Sequence, residues 1–126
     1  MPEFKQNFLD HYSELTDIKT FKEYCVKPVK KSIRVNTLKI PVKDFKINLK
    51  LKKVPWTDFG FYIEEEKIGL GNLPEHQLGY FYMQESASMI PPLVLNPKED
   101  LVLDMCASPG SKTTELAQLM NNKGLI

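Results

Sequence analysis

Phe4, Phe8, Tyr12 and Leu15 recur at helical spacing and predict a first amphipathic helix. Thr16 or Asp17 is placed to cap a second helix carrying Ile18, Phe21 and Tyr24, which Pro28 ends. From Ser32 to Lys39 the residues alternate as in a strand. Beyond Pro41, which suits the first turn of a helix, two periods compete. Val42, Phe45 and Leu49 share a helical face, whereas Ile47, Leu49 and Leu51 alternate with Asn48, Lys50 and Lys52. Val54-Pro55-Trp56 breaks the pattern and Gly60 to Glu64 predicts another strand, so 32–64 reads as strand–helix–strand.

Gly69, Gly71, Pro74 and Gly79 then mark a loop-rich connector. Tyr80 to Met83 is apolar and aromatic, and Gln84 to Ile90 starts a helix that Pro91 and Pro92 bend or restart. Leu101 to Asp104 predicts a short buried strand. Lys112 to Asn122 predicts a helix with Leu116, Leu119 and Met120 inward and Gly124 as its C-cap. The expected class is α/β. Residues 1–31 form N-terminal helices, 32–78 a small α/β module and connector, and 79–126 the start of a strand–loop–helix domain.

Charge divides the chain along the same line. Residues 1–63 carry 13 Lys/Arg and 7 Asp/Glu, and residues 64–126 carry 4 and 9. Within 19–53, 12 basic residues face only Glu23 and Asp44, which makes the first module a candidate RNA-binding surface. No apolar run approaches the ~20 residues that span a bilayer, and MPEFKQNFLDHYSEL lacks a signal-peptide core. Cys25 and Cys106 make no disulfide framework, and reduced thiols in the cytoplasm are expected. Cys25 reads as a core thiol, and no His/Cys spacing suggests a metal.

The chemistry concentrates in Leu103-Asp104-Met105-Cys106-Ala107-Ser108-Pro109-Gly110-Ser111-Lys112-Thr113. A Walker loop fails here twice: Ser111 separates Gly110 from Lys112, and Met105 holds the first glycine position. The dinucleotide fingerprint Gly-x-Gly-x-x-Gly is absent too. What remains is an acidic strand end, a turn of small residues and a helix N-terminus with unpaired N–H groups. Such a start suits a carboxylate, with Lys112 adding a cation and Asp104 accepting from an ammonium group. S-adenosylmethionine carries both groups.

This stretch resembles the first cofactor motif of the Sun/Fmu-type RNA cytosine-5 methyltransferases, Leu-Asp-x-Cys-Ala-Ala-Pro-Gly-Gly-Lys-Thr. Gly79 to Ser88 is similar to that family's Gly-x-x-x-x-Gln-x-x-Ala-Ser segment, and Ser32 to Thr37 resembles its Arg-x-Asn-Thr strand. The resemblance implies a truncated start of a Rossmann-like domain behind an RNA-binding module. It implies S-adenosylmethionine held by Cys106, Ala107, Ser108, Pro109, Gly110, Ser111 and Lys112, and RNA, transfer RNA ahead of ribosomal RNA, as substrate. Lys27, Lys30, Lys31, Arg34 and Asn36 are the candidate RNA contacts. Arg34 and Asn36 have a second reading as hydrogen-bonding partners within the module. Gln84 and Ser88 line the cofactor site or pack the connector helix, and Trp56 stacks on a base or joins the core.

Two positions depart from the family pattern. Ser108 replaces an alanine and Ser111 a glycine, and a glycine at 111 would serve a positive φ or a close approach to the ligand. The family's reaction adds a cysteine thiolate to carbon 6 of cytosine before carbon 5 takes the methyl group. Its cysteines follow later strands in Pro-Cys and Thr-Cys pairs, and neither pair occurs here. Cys106 belongs to the cofactor loop instead. The expectation is the N-terminal part of a methyltransferase, inactive as this chain alone and completed by the missing C-terminal half. The alternative is a non-catalytic RNA-binding protein.

Overall fold

A computed structural model of the chain describes residues 3–65 and 69–126. Residues 66–68, between the expected strand ending at Glu64 and the connector from Gly69, lie outside the described residues. Aromatic contact holds the N-terminal helices α1 (Gln6–Ser13) and α2 (Ile18–Cys25) together. Tyr12 stacks on Phe21 at 4.6 Å between ring centroids, and Phe8 lies 5.9 Å from the same ring. Asp17 caps α2 by accepting from the Thr20 N–H at 2.9 Å. Neither helix buries a residue fully, so Cys25 is an exposed thiol rather than a core one.

Strands β1 (Ser32–Val35), β2 (Lys50–Lys53), β3 (Gly60–Glu65) and β4 (Phe81–Met83) form one antiparallel sheet in the order β2-β3-β1-β4. Alternation along β1 sends Ile33 and Val35 to one face and Ser32 and Arg34 to the other. All four are buried, so both faces of this central strand are covered. On the apolar face Ile33, Leu70 and Phe81 form a core against which Phe45, Ile47, Leu49, Leu51, Phe61, Ile63 and Leu73 pack. This core resolves the competing periods after Pro41. Phe45, Ile47, Leu49 and Leu51 reach it as one alternating series that runs into β2, and the expected helix shrinks to one 3-10 turn, Val42–Asp44. Gly60 marks a close approach: a Cβ there would lie 2.5 Å from Thr57 Cγ2 and 2.7 Å from Met89 Sδ.

The connector holds a 3-10 turn (Leu70–Asn72) and the short helix α3 (Pro74–Gln77). After β4, a 3-10 turn (Ser86–Met89) runs into α4 (Ile90–Leu95). Pro91 and Pro92 sit in the first turn of α4, where a missing N–H costs nothing, so they restart a helix. Helix α5 (Ser111–Leu119) buries Leu116, and Met120 just beyond it is buried too.

Its end differs from expectation. The left-handed residues are Asn121 and Asn122 as well as Gly124, whose φ is +83°. A Cβ on Gly124 would stand 2.3 Å from the Asp100 carbonyl oxygen, so only glycine lets the chain return beside Asp100. There Val102 N–H donates to Leu125 O at 2.9 Å and Leu125 N–H to Asp100 O at 3.0 Å, closing a parallel bridge. The strand expected to be buried at 101–104 is therefore a one-sided bridge, with Leu101 80% and Leu103 83% exposed. Among the described residues only Leu125 pairs with it, and apolar residues are not buried without neighbours on both sides.

Candidate cofactor loop and its buried support

The turn between Asp104 and α5 is organised by its acidic end. Asp104 accepts from the Thr113 hydroxyl at 2.6 Å and from the Cys106 N–H at 2.9 Å. The Thr113 bond, then the backbone bond, hold its carboxyl below the usual range, so it is ionised at neutral pH. Cys106, Ala107, Ser108 and Pro109 are exposed, and the Ser108–Pro109 peptide is cis.

Gly110 then takes φ +110° as the residue preceding α5, and no side chain caps the helix. The N–H groups of Ser111, Lys112 and Thr113 have no preceding turn to bond to, and the helix dipole adds partial positive charge there. A groove of about 160 Å³ beside the loop is lined by Pro91, Pro92, Leu95, Val102, Asp104 and Lys112. An ionised acid, free N–H donors and a lysine fit a ligand bearing both a carboxylate and an ammonium group.

The positive φ falls on Gly110, not on Ser111, which is the first residue of α5. The strain expected for serine at 111 does not arise, since a helix start accepts it readily.

Behind the loop lies a buried polar cluster. Arg34 is 2% exposed. Its Nε donates to Gln84 Oε1 at 2.7 Å, its Nη2 to Thr114 Oγ1 at 2.6 Å, and its Nη1 to Gln118 Oε1. Gln84 Nε2 in turn donates to Glu115 Oε2 at 2.6 Å. The guanidinium demands an oxygen, which fixes the orientation of the Gln84 amide. Burial pushes the Glu115 carboxyl up to about 7, against the opposing pull of Gln84 and of the Arg34 charge. Gln84 thus bridges a buried cation and a buried acid that form no direct ion pair, and it ties β4 to α5. Ser32 Oγ donates to the Gln84 carbonyl at 2.6 Å.

Of the two readings for Arg34 and Asn36, the hydrogen bonds realise the internal one. Asn36 Nδ2 donates to Gly79 O at 3.0 Å, and its Oδ1 accepts from Leu38 N–H at 3.2 Å. Gln84 packs inside, and Ser88 donates to Glu85 O at 2.9 Å. Trp56, 43% exposed, donates its indole N–H to Ser86 O at 3.0 Å.

Lys27, Lys30 and Lys31 are exposed. Lys27 pairs with Glu23 at 2.5 Å and covers the Tyr24 ring, while Lys30 lies 5.8 Å from the Tyr62 ring centroid. Lys30 also lines a groove of about 480 Å³ with Lys50, Lys52, Lys53, Pro55 and Tyr62. The predicted RNA residues thus divide: buried Arg34 and half-buried Asn36 bond within the module, whereas Lys27, Lys30 and Lys31 are exposed. Tyr82 and Thr113 lie within the quoted motif segments but were given no role there, and sequence reasoning missed Thr114, Glu115 and Gln118. The only signal for the last two was a pair of polar residues flanking the apolar face of the helix. Among the described residues no cluster of His, Cys, Asp and Glu could hold a metal.

Residues 3–86 match the family model described as the N-terminal domain of 16S rRNA methyltransferase RsmF, and residues 92–126 match that of 16S rRNA methyltransferase RsmB/F. The chain is 46% identical to ribosomal RNA small subunit methyltransferase F of Vibrio atlanticus, covering 96% of this chain and 28% of that protein. It is also 46% identical to a tRNA (cytosine(49)-C(5))-methyltransferase of Pyrococcus abyssi, covering 98% and 43%. A solved methyltransferase homolog from Pyrococcus horikoshii superposes with TM-score 0.77 at 37% identity, over 97% of this chain and 47% of that one. NSun6 of the same organism gives TM-score 0.80 at 21% identity, over 97% and 58%, and shares the fold. The chain thus spans less than half the length of the curated relatives it matches. On these matches, which run from the N-terminal helices through the Asp104–Thr113 loop, the chain belongs to the RsmB/F methyltransferases, the Sun/Fmu-type family that its motifs resemble.

Proposed function

We propose that this chain supplies the RNA-binding module and the cofactor loop of an S-adenosylmethionine-dependent RNA cytosine-5 methyltransferase. The observation that carries the reading is the uncapped start of α5 beside the ionised Asp104. The free N–H groups from Gly110 to Thr113, with the Lys112 ammonium, would hold the methionine carboxylate. Asp104 would accept from the methionine ammonium, since two hydrogen bonds leave a carboxylate with further acceptor capacity. Cys106, Ala107, Ser108 and Pro109 shape the loop around it. Bound S-adenosylmethionine would supply an electrophilic methyl group, and RNA the accepting cytosine carbon.

Lys27, Lys30 and Lys31 would meet RNA phosphates. The relatives named for ribosomal RNA and for transfer RNA align at the same identity, so the reading is RNA of either kind, with transfer RNA still the first to assay. The exposed edge at Leu101 and Leu103 would receive further strands of a doubly wound sheet. Without the Pro-Cys and Thr-Cys pairs this chain alone would transfer no methyl group. No helix among the described residues is long and apolar enough to cross a membrane, and a cytoplasmic location is part of the reading.

The test is RNA titration at several salt concentrations, with and without S-adenosylmethionine. The expected result is salt-dependent binding whose affinity changes with the cofactor. Salt-dependent binding indifferent to the cofactor would point to a non-catalytic RNA-binding protein, and turnover by this chain would overturn its expected inactivity.

A further inference from the structure

The sheet and the cofactor loop meet through two carbonyl groups. Tyr82 on β4 donates its hydroxyl to Pro109 O at 3.2 Å. Thr114 donates both its hydroxyl, at 2.7 Å, and its N–H, at 2.9 Å, to Gly110 O. That hydroxyl is itself held, because its oxygen accepts from Arg34 Nη2 at 2.6 Å. Arg34 and Tyr82 face each other across the β1–β4 register, with the guanidinium carbon 5.7 Å from the Tyr82 ring centroid. Three donors, two of them side chains fixed by the sheet, therefore grip the two carbonyls that bracket Gly110.

Each carbonyl belongs to a peptide unit whose N–H lies on the other side. The Pro109 carbonyl is conjugated with the Gly110 N–H, and the Gly110 carbonyl with the Ser111 N–H. A peptide plane is rigid, so fixing the oxygen fixes the direction of the N–H. Donation to the oxygen also polarises the unit and strengthens its N–H as a donor. Among the described residues neither the Gly110 nor the Ser111 N–H donates to a protein acceptor.

We propose that Tyr82 and Thr114 are positioning residues that aim and polarise the Gly110 and Ser111 N–H donors toward the carboxylate of the bound cofactor, with Arg34 holding Thr114 from the sheet. The inference rests on reading the loop as the S-adenosylmethionine site and adds which residues set its donors. It makes the sheet and the cofactor loop one mechanical unit.

The experiment uses the isotopically labelled full chain and variants Tyr82→Phe, Thr114→Val and Thr114→Ser. Phenylalanine keeps the ring beside Arg34 and removes only the hydroxyl, and serine keeps the hydroxyl that valine lacks. Without cofactor, Tyr82→Phe should move the Gly110 amide resonance and Thr114→Val that of Ser111, while the rest of α5 keeps its native resonances. Titrated with S-adenosylmethionine, each should bind about threefold to tenfold more weakly, the range for one lost hydrogen bond. Thr114→Ser should bind like the parent, and the thermal midpoint of Tyr82→Phe should fall by only a few degrees, the scale of one hydrogen bond. Parent-like affinity in both Tyr82→Phe and Thr114→Val would overturn the proposal, as would weakening in Thr114→Ser equal to that in Thr114→Val. If the parent shows no response to S-adenosylmethionine, the reading of the loop falls and the positioning role with it, whereas resonance shifts with unchanged affinity refute the positioning role alone.

Discussion

Helix α5 carries two polar clusters of opposite kind. At its N-terminus, Asp104, Gly110, Ser111 and Lys112 leave donors and an ionised acid open to solvent. One turn further on, Thr114, Glu115 and Gln118 join Arg34 and Gln84 in a cluster whose hydrogen bonds turn inward. Similar chemical groups thus serve two ends. The open cluster is suited to a ligand because the fold leaves its donors unpaired. The closed one cements sheet to helix because its polar groups, once buried, must find one another. Accessibility, not residue type, separates binding from bracing.

The comparison breaks most sharply at Arg34. Arg34→Ala would leave Gln84, Thr114 and Gln118 acceptors without their donor, and the buried Glu115 without its nearby cation. Urea unfolding should show a loss of several kcal/mol, on the order of 1–3 for each buried acceptor left unsatisfied. A loss no larger than that of a surface substitution would show that the cluster is not closed.

Glu115 sharpens the same side. Its folded carboxyl is raised from 4.5 to about 7, so between those values the folded state binds more protons than the unfolded state. The stability that Glu115 contributes is full below about pH 4.5 and is lost as pH rises through about 7. The decline is on the order of a few kcal/mol, because each tenfold difference in proton affinity between the two states is worth ~1.4 kcal/mol. Glu115→Gln, which cannot ionise, should flatten that decline in denaturant midpoints measured across the range. Equal slopes in parent and variant would contradict the raised carboxyl. Glu115 Oε1 and Gln118 Nε2 lack protein partners while buried, which fits a cluster costly to ionise.

Effects at the open cluster are smaller on stability and larger on binding. Gly110→Ala forces a side chain into φ +110° and should cost about 1–2 kcal/mol in unfolding while weakening cofactor binding. Ser111→Gly should change stability by less than about 1 kcal/mol, since position 111 is already helical. Calorimetry should find its cofactor affinity unchanged. Tighter binding would revive a backbone constraint at residue 111.

Particular residues show how much of this was legible in the sequence. The spacing from Asp104 to Thr113 is local, so the turn and the helix start could be read directly, whereas the strand before them could not. Alternation from Ser32 to Lys39 gave β1 but not the burial of its polar face, because Arg34 meets partners 50 to 84 positions away. The segment after Pro41 carried both periods, and only the core contacts of Ile47, Leu49 and Leu51 decided between them. Leu101 to Leu103 looked like a buried strand because apolar runs report a preference for burial, not the presence of neighbours.

The most direct test of the open cluster is a resonance-by-resonance titration of the labelled chain with S-adenosylmethionine. Saturable shifts should concentrate in the amides of 104–113, with those of Lys27, Lys30 and Lys31 unmoved. Shifts centred away from that loop, or none up to millimolar cofactor, would contradict a cofactor site at the start of α5.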